Sequence, residues 1–427
     1  MVVDRIQAIR GMNDVLPHES PVWRQLETIF ISCMLQYGYQ EIRFPFLEST
    51  QLFKRSIGEV TDIVEKEMYT FIDLNGESIT LRPEGTAGCL RACLEHGLLH
   101  NQQQKLWYIG PMFRHEKPQK GRYRQFNQFG VEALGISGAA IEVELIALCR
   151  RLWKQLKIEQ HVQLQINTLG ELSERHNYRI KLIDYFKTHY DQLDEDCKRR
   201  LDRNPLRILD SKNPEMQDLL KEAPQLIDSL GPESKKRFAD LCDGLTKLGI
   251  PYIINPFLVR GLDYYGHTVF EWVTDKLGSQ ATVCAGGRYD VLVEQLGGNP
   301  TPAVGFAMGA ERLLLLLETL KTTLEQPKMP SVFIIATGEE AMQQALLLAE
   351  VLRDANIDWE ILVNTAGGGF KSQFKKADKS NAEFALILGE DEISTNKIGI
   401  KNLRKQEEQV TIPQQELVQF LQNSLGR

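Results

Sequence analysis

The sequence lacks the features that mark membrane, secreted and disulfide-bonded proteins. Among its 427 residues the purely apolar runs are short, such as Leu313 to Leu317, whereas about 20 consecutive apolar residues are needed to cross a bilayer. The first residues interleave acids and bases without the apolar stretch of a secretory signal. Seven cysteines, an odd number scattered along a long chain, do not resemble a disulfide framework. We therefore expect reduced thiols and a cytoplasmic protein.

Familiar metal and nucleotide motifs are also missing. Cys89 and Cys93 are four residues apart, as are His96 and His100, but neither pair is accompanied by further residues at the spacing of a zinc site. Both pairs are interpreted as structural. No GxxxxGK[ST] phosphate loop occurs, so a nucleotide would have to bind by another architecture.

The composition is that of an ordinary globular protein. Fifty Lys and Arg oppose 57 Asp and Glu, and 42% of the residues are hydrophobic while 25% are charged. These values argue against disorder. The net charge of −7 does not exclude a nucleic-acid partner, because such binding depends on a local basic patch. The length predicts two or three domains.

Strand-like segments dominate the first part of the chain. Apolar residues at helical spacing predict a helix over residues 21–36, and residues 39–47 then alternate toward a strand. Further strands are predicted at residues 68–73, 78–81, 104–113 and 125–133. Consecutive hairpin-like strands favour an antiparallel sheet. A polar, helix-rich stretch over residues 170–250 interrupts this pattern and is interpreted as an inserted helical subdomain.

A second domain is predicted after a proline-bearing hinge at residues 326–330. Beyond it the sequence is typical of strand, helix, strand, helix, strand, which indicates an α/β unit of about 100 residues. We therefore expect one domain over residues 1–325 and another over residues 328–427.

Two segments of the first domain carry charged residues suited to chemistry. Glu84 and Thr86 stand between a strand and a helix, where they could hold an ammonium group or simply cap the helix. Residues 114–124 contain five Lys and Arg against Glu116 alone. Guanidinium groups bind phosphate with paired hydrogen bonds, so phosphate or nucleic acid is the plausible target of this loop. A solvated hairpin tip is the simpler alternative.

Glycine-rich segments follow at residues 258–265 (LVRGLDYY), 284–290 (CAGGRYD) and 303–313 (AVGFAMGAERL). Their glycines permit close approach of the backbone to a ligand. Each segment taken alone is equally compatible with a tight turn or a helix start.

Taken in order, FRHEKPQKGRYRQF, LVRGLDYYGHTVFE, AGGRYD and GFAMGAERL resemble motif 2, two histidine-specific signatures and motif 3 of the class II histidyl-tRNA synthetases. Residues 41–48 around Pro45 resemble the dimer-forming motif 1 of that family. The resemblance covers nearly the whole chain. It implies an α+β fold, with a class II catalytic core built on an antiparallel β-sheet flanked by helices, a helical insertion and a C-terminal α/β anticodon-binding domain.

The resemblance also implies a function. L-histidine would be activated by ATP, with Mg²⁺, to histidyl-adenylate with release of pyrophosphate, and then transferred to the 3′-terminal adenosine of tRNA(His). The resemblance implies a homodimer. It implies no tightly bound, protein-ligated metal and no membrane partner.

Site residues are carried over from the family position by position. Histidine binding falls to Glu84, Thr86, Arg114, Gln128, Glu132, Arg260, Tyr264, Tyr265 and Tyr289. Arg114 and Arg260 are the expected catalytic residues at the α-phosphate. ATP binding is assigned to Arg114, Arg122 and Arg312, and tRNA binding to Gln119, Arg122, Lys371 and Lys375. Without the resemblance, the lysines would be read as an ordinary solvated helix face.

Two alternatives differ in function. A synthetase-like regulatory subunit of histidine synthesis would share the core but would usually lack the anticodon domain and degrade the motifs. In this sequence Arg114, Arg260 and Arg312 are all present and about 100 residues follow the core. A class II synthetase for another amino acid would lack LVRGLDYY and AGGRYD.

Overall fold

The chain forms two compact units, residues 1–325 and 326–427. The structure is a computed structural model that describes residues 5–58, 61–211, 213–260, 262, 264–278, 281–322, 324 and 329–425. Most of the predicted hinge, residues 326–328, and Gly261 and Asp263 of the LVRGLDYY segment lie outside the described residues. No helix in the described part of the chain combines the length and apolarity needed to span a membrane.

The first unit contains helices and strands in mixed order. Its helices are α1 (Ser20–Gln36), α2 (Thr50–Ile57), α3 (Thr86–Glu95), α4 (Ala140–Gln155), α5 (Leu172–Thr188), α6 (Glu195–Arg203), α7 (Gln217–Lys221), α8 (Pro232–Lys247), α9 (Val291–Gln295) and α10 (Ala310–Thr319). Its strands are β1 (Gln40–Glu41), β2 (Leu47–Ser49), β3 (Tyr69–Ile72), β4 (Ser78–Leu81), β5 (Gln104–Phe113), β6 (Gln125–Leu134), β7 (Gln163–Thr168), β8 (Tyr252–Ile254), β9 (Gly266–Val273), β10 (Thr282–Arg288) and β11 (Ala303–Gly309).

An eight-stranded sheet organises this unit, in the order β1-β5-β6-β11-β10-β9-β7-β8. The six central strands pair antiparallel, and only the edge strands β1 and β8 pair parallel with their neighbours in this part of the described chain. The predicted antiparallel sheet is confirmed. Strands β2, β4 and β3 form a separate antiparallel sheet.

The predicted strand over residues 39–47 is wrong for most of its length. Only Gln40 and Glu41 pair with β5, and the next strand begins at Leu47. Pro45 lies between them and has no N–H to donate to a sheet, so the alternating pattern does not continue as one strand.

The helix-rich segment joins two neighbouring strands. Helices α5 to α8 all lie between β7 and β8 in the sequence, and β8 pairs with β7 in parallel, with Leu164 opposite Tyr252. The chain therefore leaves the sheet after β7 and returns beside it.

The hydrophobic core packs α1 and α4 against this sheet. Phe30 of α1 and Trp153 of α4 are fully buried together with Phe129 and Phe270 of the strands. Apolar residues at helical spacing on each helix meet alternate residues of the strands, which fixes the register of the sheet.

The second unit has a mixed sheet in the order β13-β12-β14-β15-β16. Its elements are β12 (Val332–Ala336), α11 (Glu339–Ala355), β13 (Ile361–Val363), α12 (Phe370–Lys379), β14 (Phe384–Leu388), α13 (Glu390–Ser394), β15 (Lys397–Asn402), β16 (Val410–Pro413) and α14 (Leu417–Leu425). The first three strands are parallel, as the predicted α/β pattern requires, whereas β15 and β16 add an antiparallel edge.

Candidate active site

A cavity of about 400 Å³ lies against strands β6, β9, β10 and β11 of the first unit. It brings together residues that are up to about 230 positions apart in the sequence. The predicted site residues that line it are Glu84, Thr86, Arg114, Arg122, Gln128, Arg260, Tyr264, Tyr265, Tyr289 and Arg312. Of the other predicted residues, Glu132 contacts Thr86 and Tyr289 from outside the lining, and Gln119, Lys371 and Lys375 lie elsewhere.

The end of β4 and the start of α3 form one wall. The buried carboxylate of Glu84 accepts hydrogen bonds from the backbone N–H groups of Thr86 (2.7 Å) and Ala87 (2.9 Å). Glu84 therefore caps the helix, as the structural alternative predicted, and lines the cavity as well. Burial raises the pKa of Glu84, against the lowering effect of these two hydrogen bonds. Gln128 of β6 accepts from the N–H of Gly85 at 3.1 Å, which ties this wall to the sheet.

Glu132 is the centre of a buried polar cluster. Its carboxylate accepts hydrogen bonds from the hydroxyls of Thr86 (2.7 Å) and Tyr108 (3.2 Å), and it also contacts the hydroxyl of Tyr289. Burial raises the pKa of Glu132 to about 8, although the hydrogen bonds from Tyr289 and Thr86 act in the opposite direction. The free carboxyl is thus poised to gain or lose a proton near neutral pH.

Three tyrosines pack against one another at this end of the cavity. The ring centroids of Tyr264 and Tyr265 are 4.8 Å apart, and those of Tyr264 and Tyr289 are 5.6 Å apart. All three side chains are buried. Burial raises the pKa of each, that of Tyr265 to about 12, so the hydroxyls are neutral and can donate or accept hydrogen bonds.

Arginines occupy the other end. Arg114 donates from Nε to the carbonyl of Pro83 (2.8 Å), and its guanidinium carbon lies 5.3 Å from the centroid of the Phe126 ring. Arg312, in the first turn of α10, donates to the carbonyl of Thr282 at 2.6 Å. Burial lowers the pKa of Arg312, and the nearby charges of Arg122 and Arg114 lower it further. Mutually repelling guanidinium groups make this end of the cavity favourable for an anion.

Carboxylates that the sequence analysis did not assign to the site hold these arginines. Arg260 forms an ion pair with Glu271 of β9, and Thr282 donates to the other oxygen of Glu271 at 2.8 Å. Arg122 pairs with Glu116, which also lies 3.9 Å from Arg114. The sequence signal for Glu271 is weak, because it is a single acid in strand β9 and its partners Arg260 and Thr282 lie on other segments.

The loop between β5 and β6 is closed by a tight turn. Gln119 and Arg122 exchange backbone hydrogen bonds of 3.0 and 2.9 Å, and Gly121 between them has φ = +75°. A side chain at Gly121 would be strained by this φ and would meet Leu315 of α10. The turn directs Arg122 toward the cavity.

Lys371 and Lys375 lie on α12 of the second unit, with exposed side chains on one face of the helix. They line a groove of about 810 Å³ together with Lys401 and Lys405. Asp378, Glu407 and Glu408 line the same groove, so its four lysines leave it with a net charge of only +1.

Two protein families match the chain, one over each of its two compact units. The family described as histidyl-tRNA synthetase matches residues 11–313, and the family described as anticodon binding domain matches residues 331–424. Curated proteins named histidine–tRNA ligase from Legionella pneumophila strains Paris and Lens are 68% and 67% identical over 426 residues, which covers 100% of this chain and of each relative.

Solved structures give the same result. The apo histidyl-tRNA synthetase of Staphylococcus aureus superposes with a TM-score of 0.82 at 37% identity, covering 98% of this chain and 100% of that one. A protein from Bacillus halodurans described as an ATP phosphoribosyltransferase regulatory subunit/histidyl-tRNA synthetase matches with a TM-score of 0.62 at 21% identity, over 90% of this chain and 98% of that one. At that identity the likeness is one of fold alone.

Proposed function

This chain belongs to the histidyl-tRNA synthetase family, and from this premise we propose that the cavity of its first unit joins L-histidine to ATP and then to tRNA(His). It is a class II aminoacyl-tRNA synthetase, a histidine–tRNA ligase. The observation that carries the proposal is the convergence of four arginines with a cluster of buried carboxyls and tyrosines in one cavity. One end suits the phosphates of ATP, and the other suits a small polar amino acid.

Histidine is bound at the tyrosine end. Glu84 and Thr86 hold the ammonium group, since a buried carboxylate and a hydroxyl are strong acceptors for it. The imidazole is held by Glu132 with Gln128, and Tyr264, Tyr265 and Tyr289 complete the pocket. A pocket built to hydrogen-bond a polar ring rejects apolar side chains strongly, because its buried polar groups would remain unpaired.

Adenylate formation takes place between the two ends. A carboxylate oxygen of histidine attacks the α-phosphorus of ATP, the bond from this phosphorus to the bridging oxygen breaks, and pyrophosphate leaves. Arg114 and Arg260 stabilise the negative charge on the α-phosphate, while Arg312 and Arg122 bind the outgoing phosphates. ATP enters as its Mg²⁺ complex, and the ion neutralises part of the phosphate charge. No protein nucleophile is needed, because the step depends on positioning and on charge.

The second step transfers histidine to RNA. A hydroxyl of the 3′-terminal adenosine attacks the carbonyl carbon of the adenylate, and AMP leaves. Gln119 and Arg122 lie on the loop proposed to meet the acceptor end. Lys371 and Lys375 of the α12 groove, within the unit that matches the anticodon-binding family, are proposed to contact the tRNA through its phosphates.

Further parts of the proposal concern organisation. We assign residues 1–325 to the catalytic core with its insertion at 170–250, and residues 328–427 to the anticodon-binding domain. A homodimer is proposed through the segment around Pro45, where Phe46, Leu47, Phe71 and Ile72 are exposed apolar side chains near the three-stranded sheet. An exposed apolar patch of this kind is typical of a protein interface. The proposed location is the cytoplasm.

Charging of tRNA tests the proposal. The purified protein, given ATP, Mg²⁺ and labelled histidine, should transfer the label to tRNA(His), where it is measured in the acid-precipitated RNA. The same tRNA with its terminal ribose opened by periodate should stay unlabelled, because the attacking hydroxyl is lost. Labelling of the oxidised tRNA, or no labelling of the intact one, would contradict the transfer step.

A further inference from the structure

A buried cluster of ion pairs includes the two sequence neighbours of Tyr289 but takes no part in the chemistry described above. Its centre is Arg288, whose side chain has no exposed surface. Nε donates to Glu142 of α4 at 2.5 Å, and Nη1 donates to Asp290 at 3.0 Å. Nη2 donates to the carbonyl of Gly138 at 3.1 Å. Every nitrogen of the guanidinium group is therefore used, which fixes its orientation.

The neighbour of this cluster is Tyr289, which lines the pocket. The pairing of β10 with β9 shifts register between Gly287 and Arg288, and such an irregularity redirects side chains at a strand end. Arg288 consequently lies in the interior while Tyr289 faces the cavity. A Cβ at Gly287 would collide with the carbonyl of Thr268, so the bend depends on glycine.

Tyr289 is held between two fixed residues. Arg288 precedes it, and Asp290 follows it and accepts a hydrogen bond from the N–H of Ala303 at 2.7 Å. The N–H of Tyr289 itself donates to the carbonyl of Ala303 at 2.8 Å. These contacts determine where the Tyr289 hydroxyl meets Glu132. Sites of this kind need their groups within about 0.5 Å of the productive position.

The cluster also reaches the helical insertion. Arg237 of α8 donates from Nη2 to the same oxygen of Glu142 that Arg288 uses, at 3.4 Å. Two arginines and two carboxylates balance the charge of the cluster, which matters because unpaired buried charges are costly. A residue of the insertion thus shares a carboxylate with the residue that precedes Tyr289.

We propose that Arg288 is a positioning residue for histidine recognition, which holds Tyr289 against Glu132 through Glu142 and Asp290, and that Arg237 connects the insertion to this function. The proposal rests on the proposed function of the cavity. It implies that damage to the cluster weakens histidine binding selectively and leaves ATP binding intact, because the phosphate-binding arginines belong to other segments.

Histidine-dependent exchange of pyrophosphate into ATP provides the test, with KM for histidine, KM for ATP and kcat measured separately. Arg288→Lys keeps the charge but loses the planar fork, and it should raise KM for histidine roughly tenfold. Arg237→Gln, at the edge of the cluster, should raise it about threefold. Both variants should keep KM for ATP within about twofold of the wild type.

Arg150→Gln is the matched control. Arg150 lies on the same helix as Glu142 and forms an ion pair with Glu159 at 2.6 Å, and its side chain is about as exposed as that of Arg237, 24% against 23%. Its substitution should leave all three constants unchanged. The active fraction, counted from the burst of adenylate, separates a loss of folded protein from a loss of affinity.

Three results would overturn the proposal: unchanged KM for histidine in folded variants, equal rises of KM for both substrates, or a reduced active fraction with both KM values intact. If Arg288→Lys does not fold, Arg237→Gln decides alone. A wild-type protein without histidine-dependent exchange would refute the proposed function instead, and the two failures are therefore distinguishable.

Discussion

Arg260 is the arginine proposed to act on the α-phosphate, and its guanidinium carbon lies 5.7 Å from the centroid of the Tyr265 ring. Replacing it by histidine removes the guanidinium from the α-phosphate while leaving Glu84, Thr86 and the tyrosines in place. We expect Arg260→His to abolish adenylate formation in a single turnover, a loss of at least about 10³-fold for a charge that acts on the transition state. Histidine binding, measured by equilibrium dialysis, should fall far less than adenylate formation, because the other predicted histidine contacts remain in place.

The control for this variant is Arg150→His, which breaks an ion pair outside the cavity. The thermal unfolding of both variants should also be measured, because removal of Arg260 leaves the carboxylate of Glu271 without its partner. Adenylate synthesis by Arg260→His at the wild-type rate would refute the assigned role.

Glu132 gives the site a pH dependence of definite sign. Its pKa is raised from 4.5 to about 8 by burial, so the folded protein binds a proton that the unfolded chain has released. The contribution of Glu132 to stability is therefore complete below about pH 4.5 and is lost as the pH rises through about 8. Glu132→Gln cannot ionise and should show a smaller fall in the free energy of unfolding between about pH 5 and 8.

Urea unfolding of the two proteins without ligand, at matched pH values, measures this difference. Subtracting one plot of unfolding free energy against pH from the other cancels the contribution of the titrating groups that both proteins share. A constant difference across the range would mean that Glu132 does not carry the proton.

Membership of the cavity lining could be predicted only for residues that a motif names. Glu84, Arg114 and Arg312 are recognisable from the family resemblance and converge in the cavity. Glu271 and Glu142 were missed, because their partners Arg260 and Arg288 are 11 and 146 positions away. Such a relation exists only after strand pairing and helix docking.

At the scale of elements, the close approach of β11 to β6 shapes the end of the cavity that is proposed to bind histidine. Gly305 lies opposite Glu132 in this pairing, and a Cβ at Gly305 would come within 2.5 Å of the carbonyl of Val131 and would overlap the Glu132 carboxylate. Gly305→Ala should therefore cost about 1–3 kcal/mol of unfolding free energy and weaken histidine binding.

Gly309, the last residue of the same strand, also lines the cavity and is the control for the close approach of the two strands. A Cβ there would meet only the Arg312 Cβ, at 3.9 Å. Gly309→Ala should stay within about 0.5 kcal/mol of the wild type. Denaturant unfolding and histidine KM measure both variants. Equal behaviour of the two alanine variants would show that the close approach at Gly305 is not required.

Several strands of the first unit were predictable, including the four-residue β3 and β4, whereas the last two strands of the second unit were not. Strands β5 and β6, of ten residues each, were predicted to within one residue. Strands β15 and β16, of six and four residues, were not predicted. β15 pairs with β14 and β16 pairs with β15, and no local sequence pattern records these pairings.

At the scale of the whole molecule, the proposal divides recognition between the two units. Lys371 and Lys375 should attract tRNA phosphates without affecting amino-acid activation. The double variant Lys371→Glu, Lys375→Glu should lower kcat/KM for tRNA on the order of tenfold and flatten its salt dependence. Pyrophosphate exchange should be unchanged.

Lys397→Glu reverses an exposed charge on β15 of the same unit, at a position outside the groove that α12 lines, and serves as the control. Aminoacylation at several salt concentrations distinguishes a specific contact of Lys371 and Lys375 with tRNA from a general effect of charge. Equal loss in the control would indicate a general charge effect, and equal loss of exchange would indicate damage to the first unit.

The central claim is that the cavity activates histidine and no other amino acid. Exchange of labelled pyrophosphate into ATP, run without tRNA and with each of the twenty amino acids in turn, tests it most directly. We predict exchange with histidine alone, because only its ring satisfies Glu132 and the tyrosines together. Exchange with another amino acid would contradict the pocket, and no exchange with any of them, from folded protein with Mg²⁺ and ATP, would contradict the catalytic function itself.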